Sequence, residues 1–231
     1  MKNYVVIGAS YGIGQHITKQ LANQGHRVYA FSRTLPQVQE PNVIYTLCDI
    51  TTDTIDLSNL PDVLDGFVYC VGSIVLKPFH RLPFSQFEKD MHLNFFAMVK
   101  VLQQLIPNLR KASNASVVLF STVATKLGMP FHTSIASAKA AIEGFAKSLA
   151  AEYAPTLRVN VIAPSVTDTP LANRLLSNDA KRQAITERHP LKQIGQPDQV
   201  AELATYLLSD KAQWMTGQVI GLDGGIGSLK V

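Results

Sequence analysis

Three glycines, Gly8, Gly12 and Gly14, fall within seven residues, directly after Tyr4-Val5-Val6-Ile7 and just ahead of Ile17 and Leu21. An apolar run, a glycine loop and a helical pattern in that order form the context in which a dinucleotide pyrophosphate is held. One glycine permits the sharp turn, and another lets main chain approach the anion. The first turn of the helix then offers unpaired N–H groups and a positive dipole end. Gly8, Ser10, Tyr11, Gly12, Ile13 and Gly14 are therefore the candidate phosphate contacts. A second chemical position closes the next apolar run, at Phe31-Ser32-Arg33-Thr34. A binder of NAD places a carboxylate there to accept from both ribose hydroxyls. Ser32 and Arg33 stand in its place, and a guanidinium can pair with a 2′-phosphate through charge-assisted hydrogen bonds. NADP(H) is expected in preference to NAD(H).

The elements that must position these groups alternate along the chain. Strands are expected at Tyr4–Ile7, Val28–Phe31, Val43–Leu47, Phe67–Val71, Ser116–Phe120, Arg158–Ala163 and Val219–Leu222. Several are apolar on both faces, as strands covered by helices on each side must be. A helix carrying Ile13, Ile17 and Leu21 on one face stops at Gly25, and others are expected over about 84–111, 134–153 and 197–209. This is an α/β chain with a doubly wound parallel sheet of about seven strands, of Rossmann type. Fifteen residues separate Arg33 from Asp49, so the helices expected there must be short or missing. The stretch from about 165 to 195 breaks the alternation and reads as a lid over a substrate site. No repeat or linker divides the 231 residues, and one domain is expected.

Composition limits the partners. With 46% hydrophobic residues the chain can fill a core. No apolar run is long enough for a membrane span. The opening residues read as a strand and not as a secretory leader, and the expected location is the cytoplasm. Cys48 and Cys70 lack metal-ligand spacing and each ends an apolar run, so buried free thiols are expected and no metal. The formal net charge is +4, yet lysines and arginines are scattered. A nucleic-acid surface needs them clustered. The expected partner is a small-molecule substrate, with neither nucleic acid nor membrane involved.

From end to end the chain resembles the short-chain dehydrogenase/reductase family. Gly8-x-x-x-Gly12-x-Gly14 is similar to its cofactor loop, with Ile7 where a threonine is usual. Cys48-Asp49-Ile50 resembles its adenine-contacting element, which implies Asp49 and Ile50 as contacts. Tyr69-Cys70-Val71-Gly72 occupies the Asn-Asn-Ala-Gly position and keeps the glycine, which adds Cys70, Val71 and Gly72. Asn94 in Leu93-Asn94-Phe95 matches the family's helix asparagine. Asn160-Val161-Ile162-Ala163-Pro164 through Thr169 resembles the segment that grips the nicotinamide carboxamide, with Ser165 replacing glycine. That implies Pro164, Thr167 and Thr169 as further contacts. Thr216-Gly217-Gln218 and Asp223-Gly224-Gly225 match the C-terminal signature. The resemblance also implies a homodimer or homotetramer paired through the helices near 84–111 and 134–153, where Ala136, Ala140, Gly144 and Phe145 form a small apolar face.

The resemblance assigns catalysis to a serine, a tyrosine, a lysine and an asparagine. The tyrosine exchanges a proton with the substrate oxygen while the nicotinamide carries hydride. The lysine, one helical turn later, holds the nicotinamide ribose. In Ile135-Ala136-Ser137-Ala138-Lys139 the lysine is in place and the tyrosine has become Ile135, which has no exchangeable proton. Thirteen residues before Ile135, Thr122 keeps the hydroxyl of the serine position. Lys139, Thr122 and Asn94 are thus the retained catalytic candidates. Tyr153 and Tyr206 lie elsewhere in the pattern, while Tyr11 and Tyr69 occupy expected loop positions near the cofactor. His132, seven residues before Lys139, has the Tyr-to-Lys spacing of enoyl reductases in the same superfamily. A histidine is able to donate a proton near neutrality. Two readings stay open: an oxidoreductase with an atypical proton donor, and an NADP(H)-binding pseudoenzyme or partner subunit.

Overall fold

A computed structural model of the protein describes residues 1–52 and 55–230. Seven strands form one sheet: β1 (Asn3–Ile7), β2 (Arg27–Ser32), β3 (Val43–Leu47), β4 (Gly66–Tyr69), β5 (Ala115–Phe120), β6 (Leu157–Pro164) and β7 (Val219–Leu222). Their order is β3-β2-β1-β4-β5-β6-β7, and every pairing is parallel. The chain builds outward from β1 to β3, then returns to β4 beside β1 and builds the other way. The strand order therefore reverses between β1 and β4, where an open α/β sheet holds its ligand at the carboxyl ends of its strands.

The period of two along each strand sorts side chains onto the two faces. In β1, Tyr4 and Val6 join a cluster with Ile17, Leu21, Val200 and Leu207, under α1 (Gly12–Asn23) and α6 (Pro197–Leu208). Val5 and Ile7 point the other way, to Met98, Leu102, Leu105, Ile142 and Ala146. Those residues belong to α3 (Ala97–Leu109) and α4 (Thr133–Tyr153). Covering both faces makes β1, β4, β5 and β6 almost wholly buried. Edge strand β3 keeps every residue partly or fully exposed. Among the described residues no helix lies between β2 and β3 or between β3 and β4, which agrees with the short spacings there.

Three expectations need correction. The helix expected over 84–111 is interrupted: α2 (Phe84–Met91) passes through a π turn at His92–Phe96 into α3. The side-chain amide of Asn94 donates to the Asp90 carbonyl at 2.9 Å, which in an α-helix would take the Asn94 backbone N–H. The strand expected to reach Val71 ends at Tyr69, so Tyr69 lies in β4 and not in a loop. Among the described residues Cys48 and Cys70 form no disulfide, and both are only half-buried.

The segment from 165 to 195 also has more order than its sequence pattern suggests. It carries a short 3-10 turn at Pro170–Ala172 and a helix, α5 (Asp179–Arg188), capped by the Asn178 side chain, which accepts from the Lys181 N–H at 2.9 Å. A parallel bridge from Thr167 to Gly195 ties its two ends together. Among the described residues no helix is long and apolar enough to cross a membrane.

Candidate active site

The glycine loop leaves β1 at the switch point and turns straight into α1. Its shape depends on missing side chains at two positions. A Cβ on Gly14 would sit 2.1 Å from the Gly8 carbonyl oxygen, and one on Gly12 would sit 3.1 Å from Thr169 Cγ2. The loop is thus held against its own turn on one side and against the 167–169 segment on the other. The Gly8 N–H donates to the Phe31 carbonyl at 2.8 Å, which ties the loop to the end of β2. Ser10 is buried, and its Oγ lies 3.2 Å from Thr34 Oγ1; Ser32 Oγ donates to the Thr34 carbonyl at 2.8 Å. Arg33 and Asp49 line a separate depression with Leu47 and Cys48, beyond the ends of β2 and β3. The Asp49 carboxylate accepts from the Thr51 hydroxyl at 2.7 Å and the Thr51 N–H at 3.0 Å, and these bonds hold it below the usual carboxylate range. Ile50 packs half-buried against the core.

A cavity of about 260 Å³ opens where β4, β5 and β6 end. Ile13, Cys70, Val71 and Gly72 form one wall, and Pro164, Thr167 and Thr169 another; Thr122, His132, Ile135 and Lys139 close it from the side of α4. Four separated segments of chain therefore converge on one space. Lys139 is buried, and its Nζ donates to the Phe120 carbonyl at 3.0 Å. Burial lowers its pKa to about 8, opposed by the nearby Cys70 and Asp90. Burial likewise pushes the Cys70 thiol up to about 12. Asn94 does not line the cavity but lies behind Gly72. A Cβ on Gly72 would stand 3.4 Å from Asn94 Oδ1 and 3.6 Å from Lys139 Nζ. Asn94 Nδ2 is satisfied by Ser73 Oγ at 3.0 Å and the Asp90 carbonyl, whereas buried Oδ1 has no hydrogen-bond partner. A buried acceptor left open beside an ammonium suits a hydroxyl or a bridging water. These residues therefore fit the ribose side of a nicotinamide nucleotide.

A family model described as enoyl-(acyl carrier protein) reductase matches residues 8–227. The chain belongs to the short-chain dehydrogenase/reductase family. Among curated relatives, it is 30% identical to a tropinone reductase homolog of Datura stramonium over 241 residues, covering 96% of this chain and 90% of the relative. It is 29% identical to the 3-oxoacyl-(acyl-carrier-protein) reductase of Chlamydia trachomatis, covering 97% of each. Among solved structures, a short chain dehydrogenase family protein of Francisella tularensis superimposes with a TM-score of 0.90 at 28% identity, covering 99% of this chain and all of that one. Short-chain dehydrogenases are oxidoreductases that use nicotinamide cofactors.

Against that family the departures in this short-chain dehydrogenase become specific. Ile135 is 5% exposed and lines the cavity with an inert alkyl group. Among the described residues no tyrosine lines that cavity. Tyr69 is buried, its hydroxyl donates to the Leu93 carbonyl at 2.6 Å, and desolvation raises its pKa further. Tyr11 is half-exposed at the start of α1, Tyr153 meets Arg110 at the end of α4, and the Tyr206 hydroxyl reaches the Lys211 carbonyl. Thr122 Oγ1 accepts from the Ala124 N–H at 3.3 Å, which leaves its own proton free for another acceptor. His132 does reach the cavity, with Nδ1 2.8 Å from the Pro130 carbonyl.

The structure also shows polar groups that the sequence pattern did not single out. Asp90 is 1% exposed, and its carboxylate accepts from Ser73 at 2.6 Å, Gln86 at 3.1 Å and Ser134 at 2.6 Å. An acid one helical turn before Asn94 on a half-apolar helix was the available signal. From the 165–195 segment, Arg188 lines the cavity, and buried His189 lies behind Ser165. Among the described residues no three His, Cys, Asp or Glu side chains gather as a metal site would require.

Proposed function

We propose that this short-chain dehydrogenase is an NADP(H)-dependent oxidoreductase that moves hydride between its cofactor and a carbonyl/alcohol pair or related small substrate, with a proton donor other than tyrosine. The observation that carries this reading is Lys139: a buried ammonium beside the open acceptor of Asn94, at the base of a cavity that begins at the glycine loop. Burying an ammonium is costly without a use for it. In the proposed arrangement, the N–H groups opening α1 receive the pyrophosphate, Thr167 and Thr169 border the carboxamide, and Lys139 with Asn94 receives the ribose. The bound nicotinamide supplies or accepts hydride. Thr122 is placed to orient the substrate oxygen, and residues 165–195 to cover the substrate as a lid.

The preference for NADP(H) rests on Arg33, exposed beyond β2 with no acid at the position before it. Asp49 shares that depression, where its carboxylate accepts from Thr51 and the Arg33 guanidinium helps hold it ionised. We further place the protein in the cytoplasm as a homodimer or homotetramer of one-domain subunits. Ala140 and Gly144 are exposed on α4, and nothing lies within 4 Å of where a Gly144 Cβ would be. Light scattering at micromolar concentration checks the assembly, and a monomer would refute it.

The direct test mixes purified protein and NADPH with carbonyls, quinones and activated enones. NADPH oxidation with one class supports the oxidoreductase, and none across the panel counts against it. Running His132→Ala beside the parent asks whether that imidazole takes part. Ile135 favours a second reading, a catalytically impaired NADP(H)-binding pseudoenzyme or partner subunit, since an alkyl group holds the tyrosine's place. If Ile135→Tyr turns an inert, NADPH-binding parent into a reductase, the second reading gains. A parent faster than that variant removes it.

A further inference from the structure

We propose that Ser165 and His189 form a proton relay that takes over the part of the missing tyrosine, an inference that rests on the oxidoreductase reading above. Ser165 follows the last residue of β6 and lines the cavity that also holds Ile135 and Lys139. Its Oγ lies 2.8 Å from His189 Nε2. The other ring nitrogen, Nδ1, lies 2.8 Å from the Ile185 carbonyl in α5. His189 is 3% exposed, with its ring edge packed against Gly224. A hydroxyl at a cavity wall, an imidazole on that hydroxyl and a fixed acceptor on the imidazole form the constellation that proton-transfer sites require.

The partner types make both protonation states compatible with one geometry. A carbonyl only accepts, so Nδ1 carries a proton in either state. When the ring is neutral, Nε2 accepts and the Ser165 O–H points at it. When the ring is an imidazolium, Nε2 donates to Ser165 Oγ, and the serine proton is turned toward the cavity. No heavy atom has to move between the two. His132 lacks such an intermediary: its ring meets only the Pro130 carbonyl in the bonds described.

In the reducing direction the carbonyl carbon receives hydride and its C=O π pair moves to the oxygen. The Ser165 proton goes to that oxygen, the His189 Nε2 proton goes to Ser165 Oγ, and His189 is left neutral. Water admitted after product release restores the imidazole proton. The alcohol thus gains one hydride and one proton, and the oxidised cofactor balances the electrons. Ser165 is the catalytic residue, and His189 acts through it. The charged residues next to the ring are Arg188, beside it in sequence, and Asp223, next to the Gly224 that the ring packs against; Asp168, three residues after Ser165, is paired with Arg182. Across the cavity stand Lys139 and His132.

The test uses the full chain, with Ser165→Ala removing the hydroxyl and His189→Gln keeping hydrogen-bonding capacity without a titrating nitrogen. Both variants are expected to lose about 10²-fold or more in kcat, while NADPH binding, followed by its fluorescence, stays near the parent value. The parent rate should fall as pH rises, and the residual rate of His189→Gln should lose that dependence. A readout free of turnover is nitrogen NMR of the histidine side chains. His189 should appear as the Nδ1–H tautomer when neutral, gain a proton on Nε2 as the pH is lowered, and shift when Ser165 is replaced by alanine. Variants as fast as an active parent, or a His189 that stays neutral throughout, overturn the relay alone. An inert parent overturns the relay together with the oxidoreductase reading. If His189→Gln does not fold, Ser165→Ala and the parent NMR decide.

Discussion

The loop around Gly8–Gly14 and the cavity around Lys139 meet at the switch point of one sheet, yet they are specified in different ways. The loop is built from consecutive residues and works through its backbone, so its chemistry depends on side chains that are absent. The cavity is built from residues such as Thr122, Lys139 and Ser165, which lie apart in the chain and work through side chains. A continuous backbone device changes little without failing outright. An assembly of separate side chains can carry another residue at one place, here Ile135 where the family resemblance leads one to expect a tyrosine, and keep the rest in position.

The sharpest way to break the comparison is to place the same methyl at two glycines. Gly14→Ala puts a Cβ 2.1 Å from the Gly8 carbonyl, and should lose folding or nicotinamide nucleotide binding beyond a measurable Kd. Retained tight binding would show that the loop is not the cradle. Gly144→Ala fills open space on a helix and should stabilise a free subunit by about 0.5–1 kcal/mol. A loss in thermal stability or in oligomer size there would mean that another subunit packs on this face.

Next in size is Lys139→Met. Turnover should drop below detection, because the ribose contact and the cavity's charge both go. Stability should move in the opposite direction. The folded pKa of Lys139 lies near 8, below the ordinary lysine value of 10.5, so the fold disfavours the protonated form. Between those values the unfolded chain binds more protons, so this lysine's contribution to stability rises with pH through that window. Lys139→Met should therefore be more stable than the parent at neutral pH, by up to about 3 kcal/mol. The gain should fade toward pH 10. A destabilised variant at neutral pH would mean that the bond to the Phe120 carbonyl outweighs the burial of charge.

A smaller effect belongs to the far end of the cofactor site. Arg33→Ala should weaken NADPH binding by about ten- to a hundredfold and leave NADH nearly unchanged. Titration of both nucleotides checks this, and equal losses for the two would remove Arg33 as the selector.

Local pattern made much of the fold legible in advance. Alternating apolar runs gave all seven strands within a residue or two, and the spacing from Arg33 to Asp49 left no room for long helices. The π turn at Asn94 was hidden, because one extra residue in a helix changes no hydrophobic period strongly. Within the site, the glycine loop could be read from sequence because all its parts are consecutive. Lys139 and the lost tyrosine were found through family resemblance. The bond between Ser165 and His189 joins residues 24 apart, and only the path of residues 165–195 beyond the end of β6 brings them together. The serine drew notice only as a replacement for glycine, and the histidine lay in a segment with no periodic pattern.

The central claim is that this chain transfers hydride without a tyrosine at position 135. The most direct measurement is stopped-flow oxidation of enzyme-bound NADPH, comparing the parent chain with Ile135→Tyr on the carbonyl that the panel selects. The parent rate is expected to be at least as fast and to depend on Ser165. An inert parent that binds NADPH normally and gains turnover only from the new tyrosine would contradict it.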